Sequence, residues 1–320
     1  MSANPQTESA QSPCRFAYGV LALPHPFRLE SGDNLERAQL AWQCAGPEHA
    51  PLVVVLGGIS AHARCCAADG SGWWEAQCGE GKTLDTRQFR LLGVDWLGGA
   101  DASSAARGAR ISSADQARAV LLLINRLGER RVHLLVGASY GGAVAQHLAA
   151  LLGARLRKLV MLCAAHRSSA HARAMRHVQR AILDLGGDAP AAVALARELA
   201  ILGYVTPAVL ESRFGASDDV LPWLARHGAG FAARFDADAY RCLGESLDAH
   251  GIDPATIRVP TTLFGVIEDQ LVPPSLTHAY AARAPDCRLV EISSPHGHDA
   301  FLKEDGAVAE VLGGALGAQG

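Results

Sequence analysis

Long unbroken apolar runs, clustered basic residues and paired cysteine motifs are all missing from this 320-residue sequence. Its most apolar long region, residues 143–164, is interrupted by His147, Arg155, Arg157 and Lys158, so it does not read as a membrane span. The formal charge is −3 and no basic cluster stands out, which leaves a nucleic-acid role without electrostatic support. Eight cysteines show no C-x-x-C pair and no zinc-ligand spacing. No metal site is therefore expected, and the thiols read as reduced packing residues. The adjacent Cys65 and Cys66 receive no role. The opening MSANPQTESAQSP is polar and lacks the basic and apolar segments of a secretion signal. Residues 1–15 thus read as a disordered lead-in and the protein as cytoplasmic. Neither a repeat of fixed period nor a low-complexity tract beyond alanine enrichment is present.

What is present is the material of a globular fold. Hydrophobic residues make up 49% and charged residues 19%, and the length suits one large or two ordinary domains. Apolar runs at 52–58, 89–99, 132–139, 156–165, 259–269 and 287–295 read as strands. Helical spacing falls between several of them, at 114–128 with Ser113 as its cap, and at 143–153. Apolar strands alternating with helices predict an α/β fold with a mostly parallel sheet covered on both faces. About ninety residues between Ala165 and Val259 carry no strand signal but contain helix-like stretches at 170–185 and 190–203. They are expected to form a helical lid, residues 166–250, inserted into a core of residues 16–165 and 251–320. A second helical domain with its own core is the alternative.

The sharpest local signal is GASYG, residues 137–141, where an apolar strand gives way at once to an alanine-rich helix. G-x-S-x-G in this context lifts the serine hydroxyl above the sheet edge, on a strained turn where bulk at either glycine would clash. The bland reading is a glycine-rich turn with an incidental serine. A nucleophile also needs a base and an orienting acid. The strand at 259–269 ends in Glu268-Asp269, and the strand at 287–295 runs into His296-Gly297-His298-Asp299. An acid and a histidine thus each follow a strand at its C-terminal end, where open α/β sheets place their ligands. Asp269 is favoured over Glu268 because it opens the turn. His298 is favoured over His296 because it stands at a loop–helix junction. In the resulting arrangement His298 takes the proton of Ser139 while Asp269 holds the imidazole tautomer. The N–H groups of Ile59, in the loop after the first core strand, and of Tyr140 are the expected oxyanion hole. For Gly57 and Gly58 a plain tight turn is the other reading.

Longer stretches narrow the reaction. GWWEAQCGEGKTLDT (72–86), VDWLGG (94–99), GYVTPAVLESRF (203–214), ARFDADAYRCL (233–243) and SSPHGHDAFLKE (293–304) together resemble the homoserine O-acyltransferase family of the α/β-hydrolase fold. The resemblance runs from about residue 52 to residue 305. It implies transfer of an acetyl or succinyl group from acyl-CoA to the hydroxyl of L-homoserine, an early step toward methionine. Acyl-CoA would serve as co-substrate, with no bound cofactor. Ser139, Asp269 and His298 match the family's nucleophile, acid and base. Asp299 matches a carboxylate that meets the substrate amino group, and Arg180 lies where the family places an arginine for the substrate carboxylate, with Arg173 and Arg176 close by. A homodimer built through the lid helices is implied as well.

Two departures bear on the substrates. Tyr140 stands where the family usually has methionine, and is expected to narrow the pocket or to donate a hydrogen bond to an acyl carboxylate. ADASSAARG follows VDWLGG in place of the usual G-S-T-G-P loop. The chain is also short for the family, and shorter relatives are often succinyltransferases, so succinyl is favoured over acetyl. L-Serine is a second candidate acceptor. An esterase or thioesterase with the same triad is the rival enzyme, and a non-catalytic binding protein the rival of another class.

Overall fold

The computed structural model describes residues 15–106, 108–186 and 189–317. All but the last residue of the expected lead-in therefore lies outside the described residues. Eight strands form the central sheet: β1 (Phe16–Ala22), β2 (Gln39–Ala45), β3 (Leu52–Leu56), β4 (Arg90–Val94), β5 (Leu134–Ala138), β6 (Leu159–Leu162), β7 (Thr261–Val266) and β8 (Cys287–Ile292). Their spatial order is β1-β2-β4-β3-β5-β6-β7-β8. β1 pairs antiparallel with β2, and β2 antiparallel with β4; every pairing from β4 to β8 is parallel.

The apolar runs form central strands because both of their faces are covered. Along β3, Leu52, Val54 and Leu56 enter one hydrophobic cluster while Val53 and Val55 enter the other. This is the two-residue alternation of a pleated strand. Burying each such side chain contributes about 2 kcal/mol. On the first face lie α1 (Ser113–Arg126) and α2 (Tyr140–Leu152), through Val120, Leu123, Val144 and Leu148. The second face is covered by the C-terminal helix through Val308, Val311 and Leu312.

Helix α1 begins one residue earlier than its periodicity predicted. Ser112, not Ser113, is the cap: its hydroxyl accepts from Asp115 N while the Asp115 carboxylate reaches back to Ser112 N. That reciprocal pair satisfies two of the helix's free amides.

Between β6 and β7 the described residues form five α-helices: α3 (Ala170–Gly186), α4 (Pro190–Tyr204), α5 (Pro207–Phe214), α6 (Val220–Ala232) and α7 (Ala237–Ala249). Leu183, Val193, Phe231, Tyr240 and Leu243 from these helices belong to the same continuous apolar cluster as the first sheet face. Thr206 caps α5 by accepting from Val209 N, and its hydroxyl donates to Pro295 O. The helical layer is thereby tied to the loop after β8. Among the described residues three further α-helices follow β7: α8 (Pro274–Ala281), α9 (Ala300–Lys303) and α10 (Asp305–Gly317). Among the described residues no single helix is long and apolar enough to cross a membrane.

Candidate active site at the carboxyl edge of the sheet

The strand order reverses around β3, so the loops after β3 and β5 diverge and leave a crevice at the carboxyl edge. Ser139 sits there, between the end of β5 and the first residue of α2. Its backbone has φ 51° and ψ −116°, a conformation that costs about 1–3 kcal/mol for a non-glycine residue. Small neighbours make the corner feasible. A Cβ on Gly141 would lie 2.1 Å from Leu56 O, and one on Gly137 would lie 2.5 Å from Gly141 O. Gly141 N donates to Gly57 O at 2.8 Å and locks the corner to the loop after β3.

Three side chains from three loops converge. Ser139 Oγ is 2.8 Å from His298 Nε2, and His298 Nδ1 is 2.7 Å from Asp269 Oδ2. Asp269 is 2% exposed, and its Oδ1 accepts from Leu271 N at 2.8 Å and Val272 N at 2.9 Å. Each carboxylate oxygen is therefore committed. Burial acts against a charged His298, but the adjacent Asp269 carboxylate, by charge and hydrogen bond, prevails and holds the His298 pKa above the ordinary histidine value. The alternatives go elsewhere. Glu268 accepts from Ser293 Oγ and Ser294 N, and His296 lines a separate cleft rather than the cavity of Ser139.

Ile59 lines the same cavity as Ser139. The carbonyl of Gly58, one half of the Gly58–Ile59 peptide, accepts from Trp96 Nε1 and from Ala61 N, both at 3.0 Å. In a trans peptide the N–H points opposite to the C=O, so this anchoring fixes which way the Ile59 N–H is aimed. Tyr140 N–H, first in its helix, has no intrahelical acceptor. Its ring meets Trp96 edge-on at 4.9 Å. Its hydroxyl is not in the pocket: Tyr140 is wholly buried and hydrogen-bonds Ser246 of α7 at 2.8 Å. A contact from Tyr140 to the acyl group, expected from the sequence, is thus not made. Starting α2 directly after the serine turns that side chain beneath the helix.

The cavity itself is narrow, about 70 Å³. Its walls include Ser139, His298, Ile59, Tyr204, Arg167 and Arg176. Arg176, 9% exposed, bonds Asp248 Oδ1 through Nε at 2.6 Å and Ser168 Oγ through Nη2 at 2.7 Å. Arg180 lies one turn along α3, takes the other oxygen of Asp248 at 2.7 Å, and lines a different cleft. The i, i+4 spacing sets both arginines on the face toward α7. Only the earlier one, nearer the helix's start at the sheet edge, reaches the cavity. Asp299 faces the cleft beyond Tyr204, where burial raises its pKa against the pull of His298, Arg197 and Lys303. His250 also lines the cavity, but burial pushes its pKa down to about 3 and it is tied to Ser113 Oγ at 3.0 Å. It is a neutral wall residue. Cys65 and Cys66 are buried in the second apolar cluster.

Trp96 and Tyr204 carry no local signal of a site role. Both lie inside VDWLGG and GYVTPAVLESRF, where position alone does not disclose what a ring touches.

A serine activated through a buried imidazole–carboxylate pair can form and break an acyl ester. The fold does not choose the acceptor. Residues 51–305 match the family described as alpha/beta hydrolase fold. The homoserine O-succinyltransferase of Xanthomonas campestris pv. campestris is 40% identical over 314 residues, covering 93% of this chain and 83% of that protein. The homoserine O-acetyltransferase of Thermus thermophilus is 34% identical over 270 residues, covering 75% and 71%. The crystal structure of homoserine O-acetyltransferase from Staphylococcus aureus superposes with a TM-score of 0.86 at 26% identity, over 96% of this chain and 97% of that one. The chain therefore belongs to the homoserine O-acyltransferase family, acyltransferases of the α/β-hydrolase fold.

Proposed function

We propose that the protein transfers an acyl group from an acyl-CoA thioester to the hydroxyl of L-homoserine through an acyl ester on Ser139. One observation carries the proposal. The Ser139–His298–Asp269 relay opens into a narrow cavity roofed by helices that carry a buried arginine, Arg176. In the first half-reaction His298 Nε2 takes the Ser139 proton as Oγ attacks the thioester carbonyl. The tetrahedral oxyanion lies against the N–H groups of Ile59 and Tyr140. Its collapse breaks the C–S bond, and the thiolate leaves with the proton from His298. In the second, His298 takes the proton of the homoserine hydroxyl, that oxygen attacks the acyl ester, and Ser139 regains its proton as O-acylhomoserine leaves.

Arg176 is the group we assign to the acceptor's α-carboxylate, in place of Arg180. Arg180 then acts as a positioning residue, since it neutralises the far oxygen of the Asp248 that orients Arg176. Asp299 remains the candidate for the acceptor's amino group, reached from the Tyr204 side. Helices α3–α7 act as the lid that keeps water from the acyl ester. Succinyl is the favoured acyl group because Arg167 also lines the cavity and supplies a second cation for the distal carboxylate. Val178, Leu185 and Leu195 on α3 and α4 are exposed, Leu185 by 91%. We assign that apolar face to a second copy of the chain, which light scattering would detect as a dimer.

The test is thiol release from acetyl-CoA and succinyl-CoA, with and without L-homoserine, beside the Ser139→Ala variant. Release that requires homoserine, prefers succinyl-CoA and vanishes in the variant is expected. Equal release without homoserine would make water the acceptor and the protein a thioesterase, and release that requires L-serine instead would move the acceptor.

A further inference from the structure

His298 is carried by a loop that leaves the edge of the sheet. β8 is the last strand in the order and pairs with β7 alone, so its other edge has no ladder to hold that loop. The last backbone rung runs from Ile267 N to Ile292 O at 3.0 Å. Beyond it a side chain continues the ladder. Glu268 Oε2 accepts from Ser294 N at 2.8 Å, and Glu268 Oε1 from Ser293 Oγ at 2.5 Å. Ser294 is wholly buried, where an N–H left without an acceptor is costly.

Ser294 passes the constraint onward. Its Oγ accepts from His296 N at 3.1 Å and donates to Glu304 Oε1 at 2.6 Å, and its carbonyl accepts from Gly297 N at 3.1 Å. Gly297 has φ 56°, a left-handed turn suited to glycine. The turn that aims His298 is therefore set between Glu268 on one side and Glu304, at the break between α9 and α10, on the other. Glu268 and Asp269 are neighbours on one loop, and both bridge to the loop after β8. Asp269 meets the imidazole, and Glu268 meets the backbone that precedes it.

We propose that Glu268 is a positioning residue of the relay, which through Ser293 and Ser294 fixes His298 at the spacing where it meets both Ser139 and Asp269. The inference rests on the relay of the proposed function and not on the identity of donor or acceptor. Both contacts must hold at once, Nε2 at 2.8 Å from Ser139 Oγ and Nδ1 at 2.7 Å from Asp269 Oδ2. A displacement of about 1 Å at such a group costs about a hundredfold in rate. Reach matters here rather than charge, for the charges that act on His298 are those of Asp269, Asp299 and Arg176. Burial acts against an ionised Glu268, but its bonds from Ser293 and Ser294 prevail and keep its pKa below the ordinary glutamate value. The clamp thus stays ionised through the acid limb of the histidine. A glutamine spans the same distance: its carbonyl takes the Ser294 N–H and its NH2 donates to Ser293 Oγ. An aspartate keeps the charge but is one methylene too short to reach both.

The experiment compares Glu268→Gln, Glu268→Asp and Glu268→Ala by p-nitrophenol release from p-nitrophenyl acetate, which reports acylation of Ser139 without coenzyme A or homoserine. The glutamine variant is expected within about threefold of the wild type, and the other two about ten- to a hundredfold slower. In the slow variants the Asp269 contact loosens and the acid limb of the rate moves to lower pH, which a loss of stability alone does not produce. If the alanine variant does not fold, the contrast of aspartate with glutamine carries the test. A glutamine variant as slow as the aspartate one, an aspartate variant as fast as the wild type, or an acid limb that does not move overturns the inference while the relay stands. If the wild type releases no p-nitrophenol, the relay reading falls, and proton NMR decides the clamp separately. A downfield His298 Nδ1 proton that persists in the glutamine variant and is lost in the aspartate variant upholds it; the same signal in every protein, or in none, overturns it.

Discussion

Replacing Asp269 with Asn alters one atom of the buried relay and sets two requirements against each other. Asp269 Oδ1 accepts two backbone amides, from Leu271 and Val272, and Oδ2 accepts from His298 Nδ1. An asparagine has one acceptor oxygen for these three donors. If that oxygen stays with the two amides, the NH2 group faces Nδ1, and the imidazole must carry its proton on Nε2, where it cannot accept the one from Ser139. If the side chain flips, NH2 meets two N–H groups in a site only 2% exposed, which leaves buried donors unpaired at about 1–3 kcal/mol each. The first arrangement is therefore favoured. The wrong tautomer lowers kcat about 10⁴-fold, or about 5 kcal/mol of activation free energy. A second signature concerns pH. His298 is needed neutral, and its pKa is raised by the Asp269 carboxylate, so wild-type kcat/KM climbs with pH through a value above the ordinary histidine pKa and then levels. Without that carboxylate burial, helped by the Arg176 charge, outweighs the remaining pull of Asp299, and the acid limb of the residual activity moves to lower pH. Stopped-flow thiol release from pH 5 to pH 9 reads both effects. A loss below tenfold, or an acid limb that does not move, would refute the assignment of Asp269 as the orienting acid.

Arg176→Met is expected to raise KM for L-homoserine at least about tenfold, as loss of a charged hydrogen bond to a carboxylate does, while the burst of thiol before homoserine is added persists. Asp248 keeps Arg180 in that variant but loses Arg176 from its other oxygen, so stability falls by about 1–3 kcal/mol without loss of the fold, and an unaltered KM would remove Arg176 from the acceptor site. Tyr140→Phe loses one buried hydrogen bond to Ser246 and should lower stability by about 1–2 kcal/mol with no change in the succinyl-to-acetyl preference; a shifted preference would bring the ring back into the pocket. Trp96→Phe removes one of the two hydrogen bonds that hold the Gly58 carbonyl and leaves only that from Ala61 N, and the less constrained Ile59 N–H should lower kcat up to about tenfold with KM for homoserine held, less than outright loss of an oxyanion donor. An equal fall in all parameters would point to a general packing defect instead.

How far the sequence discloses such a site depends on the range over which each feature is determined. The central strands and the corner at Ser139 are local: apolar runs of four to six residues, and small residues where a Cβ would strike Leu56 O or Gly141 O. The acid and the base are nearly local, since each follows a strand whose end can be found, and topology carries them to one edge. β1 and β2 escaped the same reading. β1 is an edge strand with Tyr18 and Val20 exposed by 60% and 54%, so burial imposes no clear pattern on its residues. The arginines show the limit most plainly. Arg176 and Arg180 share a helix face, and both pair with Asp248; what separates them is the packing of α3 against α7, which depends on the fold of about fifty intervening residues. The cleft beyond Tyr204 is further still from local pattern. Its five positive residues come from α4, α5, α6, the segment after α6, and α9, with neighbours of ordinary composition. No window of sequence contains more than two of Arg197, Arg213, Arg226, Arg234 and Lys303 close together, so only the folded layer over the sheet gathers these charges of a net-acidic chain into one cleft.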